Sequence, residues 1–410
     1  MLGILATHPI QYQVPIWQQL SRNRRVPFEV WYLTAHGVAP SFDREFGKAF
    51  KWDVPMLDGY KYRFVSEPVP AQLGGFWKVG LGGDFRVRLA EGAIKAILVP
   101  GWNVLACWEA IYFARRAGVQ VWIRGDSNDL KVDKGLRLVG KRWLLSQLFK
   151  RVDNFLYVGQ ANRRLYQSYG IDEQRLVPGP HCVDNQRFVT QAHELRPLRR
   201  ELRRAWGIPD DAFCLLYAGK LIPKKRPLDL VSAVRWLFRT EPTRRYHLLF
   251  VGTGELGTEL RRRCRVVFDA EGQAHARMES GSAKDTRPPR ASFTGFLNQT
   301  EIARAYVAAD ALVLPSNSEE TWGLVVNEAM ASGLPCVVSD ACGCAEDLVT
   351  PLDPSFCYPC GDSEALAASI SHIADHSPSQ EAIAQSISHH DINATVATIE
   401  LLWSEIVNKS

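Results

Sequence analysis

Short apolar segments alternate with amphipathic segments along this chain, and this alternation constrains the fold more than any other feature. Short apolar runs are typical of buried strands, and the longer segments between them have the spacing of helices that cover a sheet. The pattern predicts parallel α/β architecture. The strands predicted in the first half are Leu2–Ala6, Phe28–Leu33, Ala96–Val99, Val119–Ile123 and Asn154–Val158, with helices at Pro15–Ser21, Trp108–Ala117 and Leu136–Val152.

The alternation is interrupted once and then restarts. The interruption is Leu176–Phe188, LVPGPHCVDNQRF, whose prolines and glycine cannot continue a helix. An arginine-rich helix is predicted near Leu198–Trp206. The strands that follow are predicted at Phe213–Ala218, His247–Val251, Ala291–Thr294, Ala311–Leu314 and Pro335–Ser339. Two similar halves joined by one linker predict two doubly wound, Rossmann-like domains that face each other across a cleft, with ligands at the carboxyl ends of the strands.

The length of the chain, 410 residues, also favours two domains over one core. The predicted domains are residues 1–186 and residues 187–385. Residues 386–410 are predicted to form a C-terminal helix that packs back on the first domain. Residues 269–290 combine glycine, serine, proline and mixed charge, which predicts a mobile surface insertion. The glycine-rich and aromatic segment Gly74–Phe85, GGFWKVGLGGDF, is a candidate binding loop.

Basic residues are clustered, although the net charge of +5 is modest. The clusters are Arg196–Arg204, Lys224–Arg226 and Arg261–Arg265. Such clusters suit phosphate groups or an anionic membrane surface better than a long nucleic acid, so no nucleic-acid partner is expected.

The sequence favours a cytoplasmic location. No apolar run approaches the ~20 residues that span a bilayer, and the N-terminal segment lacks the basic start of a secretory signal. Nine cysteines without a framework indicate a reducing compartment. The segment KGLRLVGKRWLLSQLFKRV places basic residues beside an apolar stripe. It predicts either peripheral contact with the inner face of a membrane or an ordinary amphipathic core helix with a solvated face.

The most informative segment is Leu312–Asp347, LVLPSNSEETWGLVVNEAMASGLPCVVSDACGCAED. A strand and a polar loop are followed by a helix predicted to begin near Trp322–Gly323. That start places Glu320 at the helix N-terminus and Glu328 about 12 Å further along the helix. Free N–H groups at Thr321–Leu324 would suit a diphosphate between them. Taken alone, two glutamates eight residues apart favour the alternative, an ordinary surface glutamate that stabilises the helix dipole.

The two glutamates and the residues around them resemble the E-x7-E motif of retaining family-4 glycosyltransferases of GT-B fold, the "glycosyl transferases group 1" family. The matching segments are EETWGLVVNEAMASGLP, with FTGFLNQTEIARAYVAADALVLPS before it and VVSDACGCAEDLV after it. The resemblance is strong over about Phe213–Ile370. It implies that Glu320 contacts the donor sugar, that Glu328 binds the ribose, and that the second domain binds the donor and the first the acceptor.

This resemblance implies an enzyme that transfers a sugar from a nucleoside diphosphate sugar to an acceptor hydroxyl with retention. The setting would be bacterial-type glycan or glycoconjugate biosynthesis, and the acceptor a glycan, a lipid-linked molecule or a small molecule. Two alternatives remain open: an epimerase or hydrolase of the same fold, and a non-catalytic nucleotide-sugar or membrane-surface binding module. The sequence gives no indication of oligomeric state.

The segment YAGKLIPKKRPLDL resembles the family's G-R-x-x-x-x-K segment, whose basic residues neutralise the diphosphate. Lys220 stands where arginine is usual, and Lys225 matches the lysine, so both are predicted to be catalytic. A lysine lacks the bidentate fork of arginine, which predicts a looser grip on phosphate. Further donor-side positions are predicted at Gly219, Gly252, Gly254, Gly295 and Phe296, where backbone would approach the ligand.

The N-terminal half is predicted to supply the acceptor side. THPIQYQVPIW replaces the family's usual Gly-Gly loop after the first strand, and His8, Gln11 and Tyr12 are candidates to line the cleft, with a packing role as the alternative. The sequence RGDS follows a buried strand where many family members place a histidine that faces the donor sugar. There Asp126 is predicted to be catalytic and Arg124 to line the cleft, with a helix N-cap as the alternative for the aspartate.

The linker and the paired cysteines carry the remaining candidates. His181 in the linker is predicted to border the cleft, and Asp184 to fix a hinge. Cys342-x-Cys344 and Cys357-x-x-Cys360 have spacings that occur in zinc sites. The family has ordinary loop and strand residues there, and no Asp-x-Asp triad occurs in the chain. We therefore expect no metal and no cofactor.

Overall fold

The computed structural model describes residues 1–38, 41–43, 48–65, 75–81, 83–130, 136–272 and 288–408. The chain divides into two units. Unit 1 comprises Met1–Ser41, Ala49–Val183 and His390–Ser410, and unit 2 comprises Phe42–Lys48 and Asp184–His389. The segment 273–287, which includes most of the predicted insertion, lies outside the described residues, as do positions 74 and 82 of the candidate loop Gly74–Phe85.

Unit 1 contains a seven-stranded sheet in the order β5-β2-β1-β6-β7-β8-β9, in which every pair of neighbours is parallel. A separate two-stranded sheet is formed by β3 and β4. The elements are β1 Leu2–Ala6, α1 Val14–Asn23, β2 Phe28–Tyr32, β3 Ser41–Asp43, β4 Lys48–Phe50, β5 Tyr62–Phe64, α2 Gly83–Ala90, β6 Ala96–Val99, α3 Leu105–Arg116, β7 Gln120–Ile123, α4 Leu136–Phe149, β8 Asn154–Tyr157, α5 Gln160–Ser168 and β9 Leu176–Pro178.

The sheet of unit 1 is covered on both faces, which is why its central strands are largely apolar. All five residues of β1 are buried. Gly3 within it faces the indole of Trp31 on β2, and a Cβ at this glycine would lie 2.0 Å from the ring. A larger residue there would therefore displace one of the largest fully buried side chains of the chain's described part.

Unit 2 contains a second seven-stranded parallel sheet, in the order β12-β13-β11-β10-β14-β15-β16. The elements are α6 Asn185–Leu195, α7 Arg199–Ala205, β10 Phe213–Ala218, α8 Pro227–Thr240, β11 Tyr246–Val251, α9 Gly257–Arg263, β12 Arg265–Asp269, β13 Arg290–Gly295, α10 Ala303–Ala308, β14 Ala311–Leu314, α11 Leu324–Ala331, β15 Cys336–Ser339, β16 Cys357–Tyr358, α12 Ser363–Asp375 and α13 Gln380–Ile387. Strand order reverses at β10, which pairs with β11 on one side and β14 on the other, and ligands of such sheets bind at this switch point.

The last helix, α14 at Ile392–Asn408, belongs to unit 1. Val396, Ile399 and Leu402 join the same apolar cluster as α1 and β1. Thr395 and Thr398 donate hydrogen bonds to backbone carbonyls at and just beyond the end of β9, at 3.0 and 2.6 Å. This helix therefore completes the core of the unit in which the chain begins.

All the predicted strands coincide with observed ones, but shorter strands were missed. These are β3 and β4 of the separate two-stranded sheet, and β5, β9, β12 and β16 at the edges of the two large sheets, which are too short or too polar to show the apolar run of a buried strand. The proposed insertion overlaps the end of β12 at Asp269 and the start of β13 at Arg290.

Candidate active site

Two loops follow the neighbouring strands β10 and β14 and bond to each other. The first contains a 3-10 turn at Pro223–Lys225 and continues into α8, and the second leads into α11. The amide of Asn317 in the second loop donates to the carbonyl oxygen of Lys224 in the first, at 2.9 Å. The switch point of the sheet therefore carries both sequence motifs.

Lys225 and Glu320 form an ion pair across these loops, between Nζ and Oε2. Their side chains are 23% and 13% exposed, so water screens the attraction less than at an open surface. The carbonyl of Glu320 accepts a hydrogen bond from the amide of Gly343, in the turn after β15, at 3.3 Å. The structure thus brings together the lysine and the first glutamate that the sequence singled out.

Helix α11 begins at Leu324, so the prediction that Glu320 lies at the helix N-terminus was wrong. The glutamate lies in the preceding loop, where its amide donates to the carbonyl of Asn317 at 2.9 Å. The cause is Gly323, whose φ of 106° and ψ of 59° are left-handed and cannot continue a helix. The 12 Å spacing, which assumed a continuous helix, does not apply either.

The residues at the start of α11 divide into buried and accessible groups. Trp322 is 3% exposed, and its indole Nε1 donates to Oδ1 of Asn327 at 2.8 Å, so this side chain belongs to the core. Thr321 and Leu324 are half-buried. The first N–H groups of a helix have no acceptor within the helix. Those of α11 follow Gly323, where a Cβ would lie 3.7 Å from Cγ of Glu320. Backbone amides of this turn are therefore suited to an anion.

Glu328, in the second turn of α11, is held by two side chains. The phenol of Tyr306 on α10 donates to Oε2 at 2.5 Å, and the amide of Gln299 donates to Oε1 at 3.4 Å. Burial raises the pKa of Glu328, while the hydrogen bond from Tyr306 and the positive charge of Arg187 oppose that rise. This carboxylate is an oriented acceptor rather than a mobile surface group.

The glycines predicted to let backbone approach a ligand also let loops approach one another. Gly219, Gly252 and Gly254 have φ values of 153°, 120° and 156°. A Cβ at Gly252 would lie 2.0 Å from the carbonyl oxygen of Gly219, and one at Gly254 would lie 2.6 Å from that of Leu221. The amide of Gly252 also donates to Gly295 at 2.8 Å. These contacts lock together the loops after β10, β11 and β13.

Lys220 and Phe296 directly follow these glycines and are half-buried. The carbonyl of Lys220 accepts hydrogen bonds from the phenol of Tyr217 at 2.7 Å and from the amide of Ile222 at 3.0 Å. The backbone that carries the Lys220 side chain is therefore fixed at the carboxyl end of β10.

In unit 1, Arg124, which was predicted to line the cleft, has a buried side chain. It is 7% exposed, and its guanidinium donates to the carbonyls of Gly179 and Pro180 at 3.0 and 2.7 Å. These bonds fix the segment after β9. Burial, together with the charge of Arg124, holds the pKa of the adjacent His181 well below its ordinary value.

The other unit 1 candidates lie beyond the carboxyl ends of β1 and β7. The ring of Tyr12 meets that of His181 edge-on, with centroids 6.1 Å apart. Burial, with a further contribution from the negative charge of Asp126, raises the pKa of Tyr12. Burial and the neighbouring His36 lower the pKa of His8 to about 4, so this ring is neutral at pH 7. Gln11 is half-buried next to Tyr12.

Asp184 and the cysteines have structural positions. Asp184 caps α6, because its carboxylate accepts a hydrogen bond from the amide of Arg187 at 3.1 Å. All nine cysteines are free. Cys342 and Cys344 are buried, and the thiol of Cys342 lies 3.6 Å from the carbonyl oxygen of Ser316. Among the residues that the structure describes, no group of three or more acidic, histidine or cysteine side chains has metal-binding geometry.

Sequence reasoning missed the surroundings of Glu328. Tyr306 lies on α10, Gln299 in the loop before it and Arg187 on α6, and the first two fall within a segment that was recognised only as part of a larger resemblance. A buried tyrosine in an apolar helix carries no local signal of a partner. Only the fold shows that its phenol faces a carboxylate.

Known glycosyltransferases resemble this chain in fold and in part of its sequence. Residues 199–389 match the family described as "Glycosyl transferases group 1". Among solved structures, a glycosyltransferase from Rickettsia africae has a TM-score of 0.66 at 13% identity, covering 100% of this chain and 99% of that one. HepE from Anabaena, solved with UDP and glucose, has a TM-score of 0.65 at 15% identity, covering 98% and 99%. These likenesses show the two-domain GT-B fold.

Two curated relatives are similar over part of the chain. D-inositol 3-phosphate glycosyltransferase of Thermomonospora curvata is 28% identical over 261 residues, covering 63% of this chain and 56% of that protein. GDP-mannose-dependent alpha-mannosyltransferase of Mycobacterium tuberculosis is 31% identical over 192 residues, covering 47% and 40%. The chain thus spans about half the length of the curated relatives that it matches. Within the described ranges, no helix combines the length and apolarity needed to cross a membrane.

Proposed function

We propose that this protein is a glycosyltransferase that moves a sugar from a nucleoside diphosphate sugar to an acceptor hydroxyl with retention of anomeric configuration. The observation that carries the proposal is the Lys225–Glu320 pair at the switch point of unit 2, beside the start of α11. The region that matches the family contains a cation, a helix start and two carboxylates. The cation and the helix start suit the anionic diphosphate of such a donor, and the carboxylates suit the hydroxyl groups at its two ends.

In this proposal each group acts on one part of the donor. Lys220, Lys225 and the first amides of α11 stabilise the diphosphate as it leaves with negative charge. Glu320 accepts hydrogen bonds from the donor sugar, and Glu328 accepts them from the ribose. The acceptor hydroxyl attacks the anomeric carbon on the face from which the diphosphate departs, and the departing phosphate takes its proton. No carboxylate then needs to act as a base.

The comparisons support this donor class. The Anabaena protein was solved with UDP and glucose, and the mycobacterial relative is a GDP-mannose-dependent mannosyltransferase. Neither protein fixes the donor of this chain. A panel of UDP, GDP, ADP and dTDP sugars, incubated with and without a hydroxyl acceptor, tests the proposal. Free diphosphate that depends on the acceptor supports transfer, whereas an isomerised or hydrolysed donor without acceptor supports the alternative enzyme.

We also propose that the reaction needs no divalent metal, since lysines and helix amides are available for the diphosphate. Turnover in EDTA should equal turnover in added Mg²⁺ or Mn²⁺. A chelator-sensitive rate that recovers only with one of these ions would overturn this part. The expectation that no cofactor is needed is tested by the same assay with purified donor and acceptor.

The acceptor side is assigned to unit 1. Tyr12, Asp126 and His181 lie close together there, and the pKa of Tyr12 responds to the Asp126 charge. Asp126 is proposed to contact the acceptor, with His8 and Gln11 nearby. Asp126→Asn should raise the KM for acceptor while leaving the dissociation constant of the nucleotide unchanged. A change only in nucleotide binding would contradict the assignment.

Peripheral membrane contact, from a cytoplasmic location, is proposed to use α4. Val139, Trp143 and Leu144 are 67%, 62% and 50% exposed, next to exposed Lys141. An exposed tryptophan beside basic residues is typical of helices that lie in a bilayer interface. Leu144→Ser should reduce sedimentation with phosphatidylglycerol vesicles, whereas Leu401→Ser, equally apolar and 57% exposed on α14, should not. An equal reduction in sedimentation by both variants would refute membrane contact through α4.

A further inference from the structure

The carboxylate of Glu328 is oriented by a chain of hydrogen bonds whose direction is fixed. Arg187 has only donors, and its Nη2 donates to Oε1 of Gln299 at 2.5 Å. The amide nitrogen of Gln299 must therefore face Glu328, where it donates to Oε1. Gln299 is 7% exposed, so its amide has little freedom to turn.

The second oxygen of Glu328 is fixed from another element. Tyr306 on α10 is 2% exposed, and its phenol donates to Oε2. Moving the carboxylate would strand this buried hydroxyl without its acceptor, which is costly. Burial raises the pKa of Tyr306 well above its ordinary value, with a further rise from the negative charge of Glu328, so the phenol keeps its proton and remains a donor.

Each oxygen of Glu328 is thus engaged once by the protein. A carboxylate oxygen has two lone-pair directions, so each oxygen retains one for a ligand. Two such acceptor directions on one rigid carboxylate match two adjacent hydroxyl groups. The ribose of a nucleotide has such a pair at its 2′ and 3′ carbons, and 2′-deoxyribose does not.

We propose that Tyr306 and Gln299 are positioning residues that hold Glu328 in the orientation that accepts both ribose hydroxyls, and that this makes the site selective for ribonucleotides over 2′-deoxyribonucleotides. The proposal rests on the proposed function, because it requires Glu328 to face a nucleotide. It adds the side chains that set the carboxylate and the donor class that follows, a ribonucleoside diphosphate sugar.

The test is a ratio of two dissociation constants measured by calorimetry on the full chain. The probes are UDP, GDP and ADP, each paired with its 2′-deoxy counterpart. For the ribonucleotide that binds most tightly, the unmodified protein should prefer the ribose form by about tenfold or more, as expected for one lost hydrogen bond to a charged group. Tyr306→Phe and Gln299→Leu should each reduce this preference to about threefold or less.

The control is Tyr246→Phe. Tyr246 is also 2% exposed in unit 2, and its phenol donates to Oε2 of Glu241 at 2.7 Å, at the start of β11 and thus at the opposite end of the sheet. This variant should keep the ribose preference. A merely structural role for Tyr306 would lower the unfolding temperature in the same way as the control and leave the ratio unchanged. Gln299→Leu provides the second reading if Tyr306→Phe folds poorly.

The pH dependence gives an independent readout. The groups that face Glu328 are Tyr306, Gln299 and Arg187, from three different elements. Removing the phenol removes a hydrogen bond to the charged carboxylate, which raises its pKa further. Ribonucleotide affinity should then be lost at a higher pH on acidification in Tyr306→Phe than in the unmodified protein.

Failure of the inference about Tyr306 and Gln299 gives a different result from failure of the proposed function. Binding of a ribonucleotide with no preference over its deoxy form, or with a preference that both variants retain, overturns this inference and leaves the proposed function standing. If the unmodified protein binds none of the three ribonucleotides at millimolar concentration but binds dTDP, this inference is overturned and the proposed function stands; if it binds none of the four nucleotides, both are overturned.

Discussion

Replacing Lys225 with methionine should leave the fold nearly intact and remove most of the turnover. Methionine retains the length and apolar stem of lysine but not the charge. In the structure the ammonium of Lys225 contacts the carboxylate of Glu320, and both side chains are more than three-quarters shielded from water. The variant therefore removes a cation from the place where the leaving diphosphate gains negative charge.

The size of the effect follows from comparable groups. One preorganised donor at a developing oxyanion contributes about 2.7–4 kcal/mol, which corresponds to a loss of roughly 100- to 1000-fold in kcat. Stability should change much less, by about 1–2 kcal/mol, because the pair is partly solvated and Glu320 keeps its position through backbone bonds to Asn317 and Gly343. The two effects are thus separable by measurement.

The assay is single-turnover release of nucleoside diphosphate, with urea unfolding measured in parallel. Lys224→Met is the matched control, because it removes the same charge from the adjacent position of the same turn. We expect Lys224→Met to stay within about threefold of the unmodified rate. A Lys225→Met enzyme within tenfold of that rate, or equal losses in both variants, would refute the assignment of Lys225 to the diphosphate.

Three further changes test other parts of the structure. Gly252→Ala should lower the free energy of unfolding by about 3 kcal/mol or more in urea, because its Cβ would overlap the carbonyl of Gly219; a neutral effect would contradict the loop packing. Burial lowers the pKa of His247 to about 3 from 6.5, so the fold favours the neutral ring and this contribution to stability is complete above pH 6.5. The free energy of unfolding should therefore fall by about 3 kcal/mol as the pH is lowered to 4. His247→Leu should flatten this pH dependence because it removes the titrating ring. Ser292 keeps its bond to a backbone carbonyl in this variant. Glu328→Gln should weaken nucleotide binding yet raise the free energy of unfolding slightly at pH 7, because burial disfavours the ionised carboxylate in the fold; unchanged nucleotide affinity would contradict its role.

The fold could be predicted from the sequence because its signal is periodic and local. Each central strand, such as β1 or β11, is an apolar run that a buried parallel sheet requires. The helix start at the site could not be predicted with the same accuracy. Gly323 permits a helix and a left-handed turn alike, and only the fold shows that the turn is adopted, with the side chain of Leu314 on β14 in the space that a Cβ would need there. Tertiary contacts override local pattern at such positions.

The function of individual side chains was harder to predict than their place in the chain. Arg124 follows a buried strand, as a ligand-binding residue of such a sheet does, yet its guanidinium bonds to the carbonyls of Gly179 and Pro180. Sequence position gives the strand end at which a side chain begins but not the direction in which it points. For the same reason, the sequence did not show that the side chains of Tyr306 and Gln299 donate hydrogen bonds to Glu328.

The loops after β10 and β11 pack closely at their glycines, and this packing positions the turn that carries Lys225. The amide of Leu221 donates to the carbonyl of Thr253 at 2.9 Å, and the carbonyl of Leu221 accepts from the amide of Leu256 at 2.9 Å. Leu221 begins the turn that carries Lys225, so the loop after β11 holds that turn in register through backbone hydrogen bonds. A substitution at Gly252 or Gly254 should therefore displace Lys225 from Glu320 and reduce turnover. The glycines of the second loop are in this sense positioning residues for a cation that lies on the first.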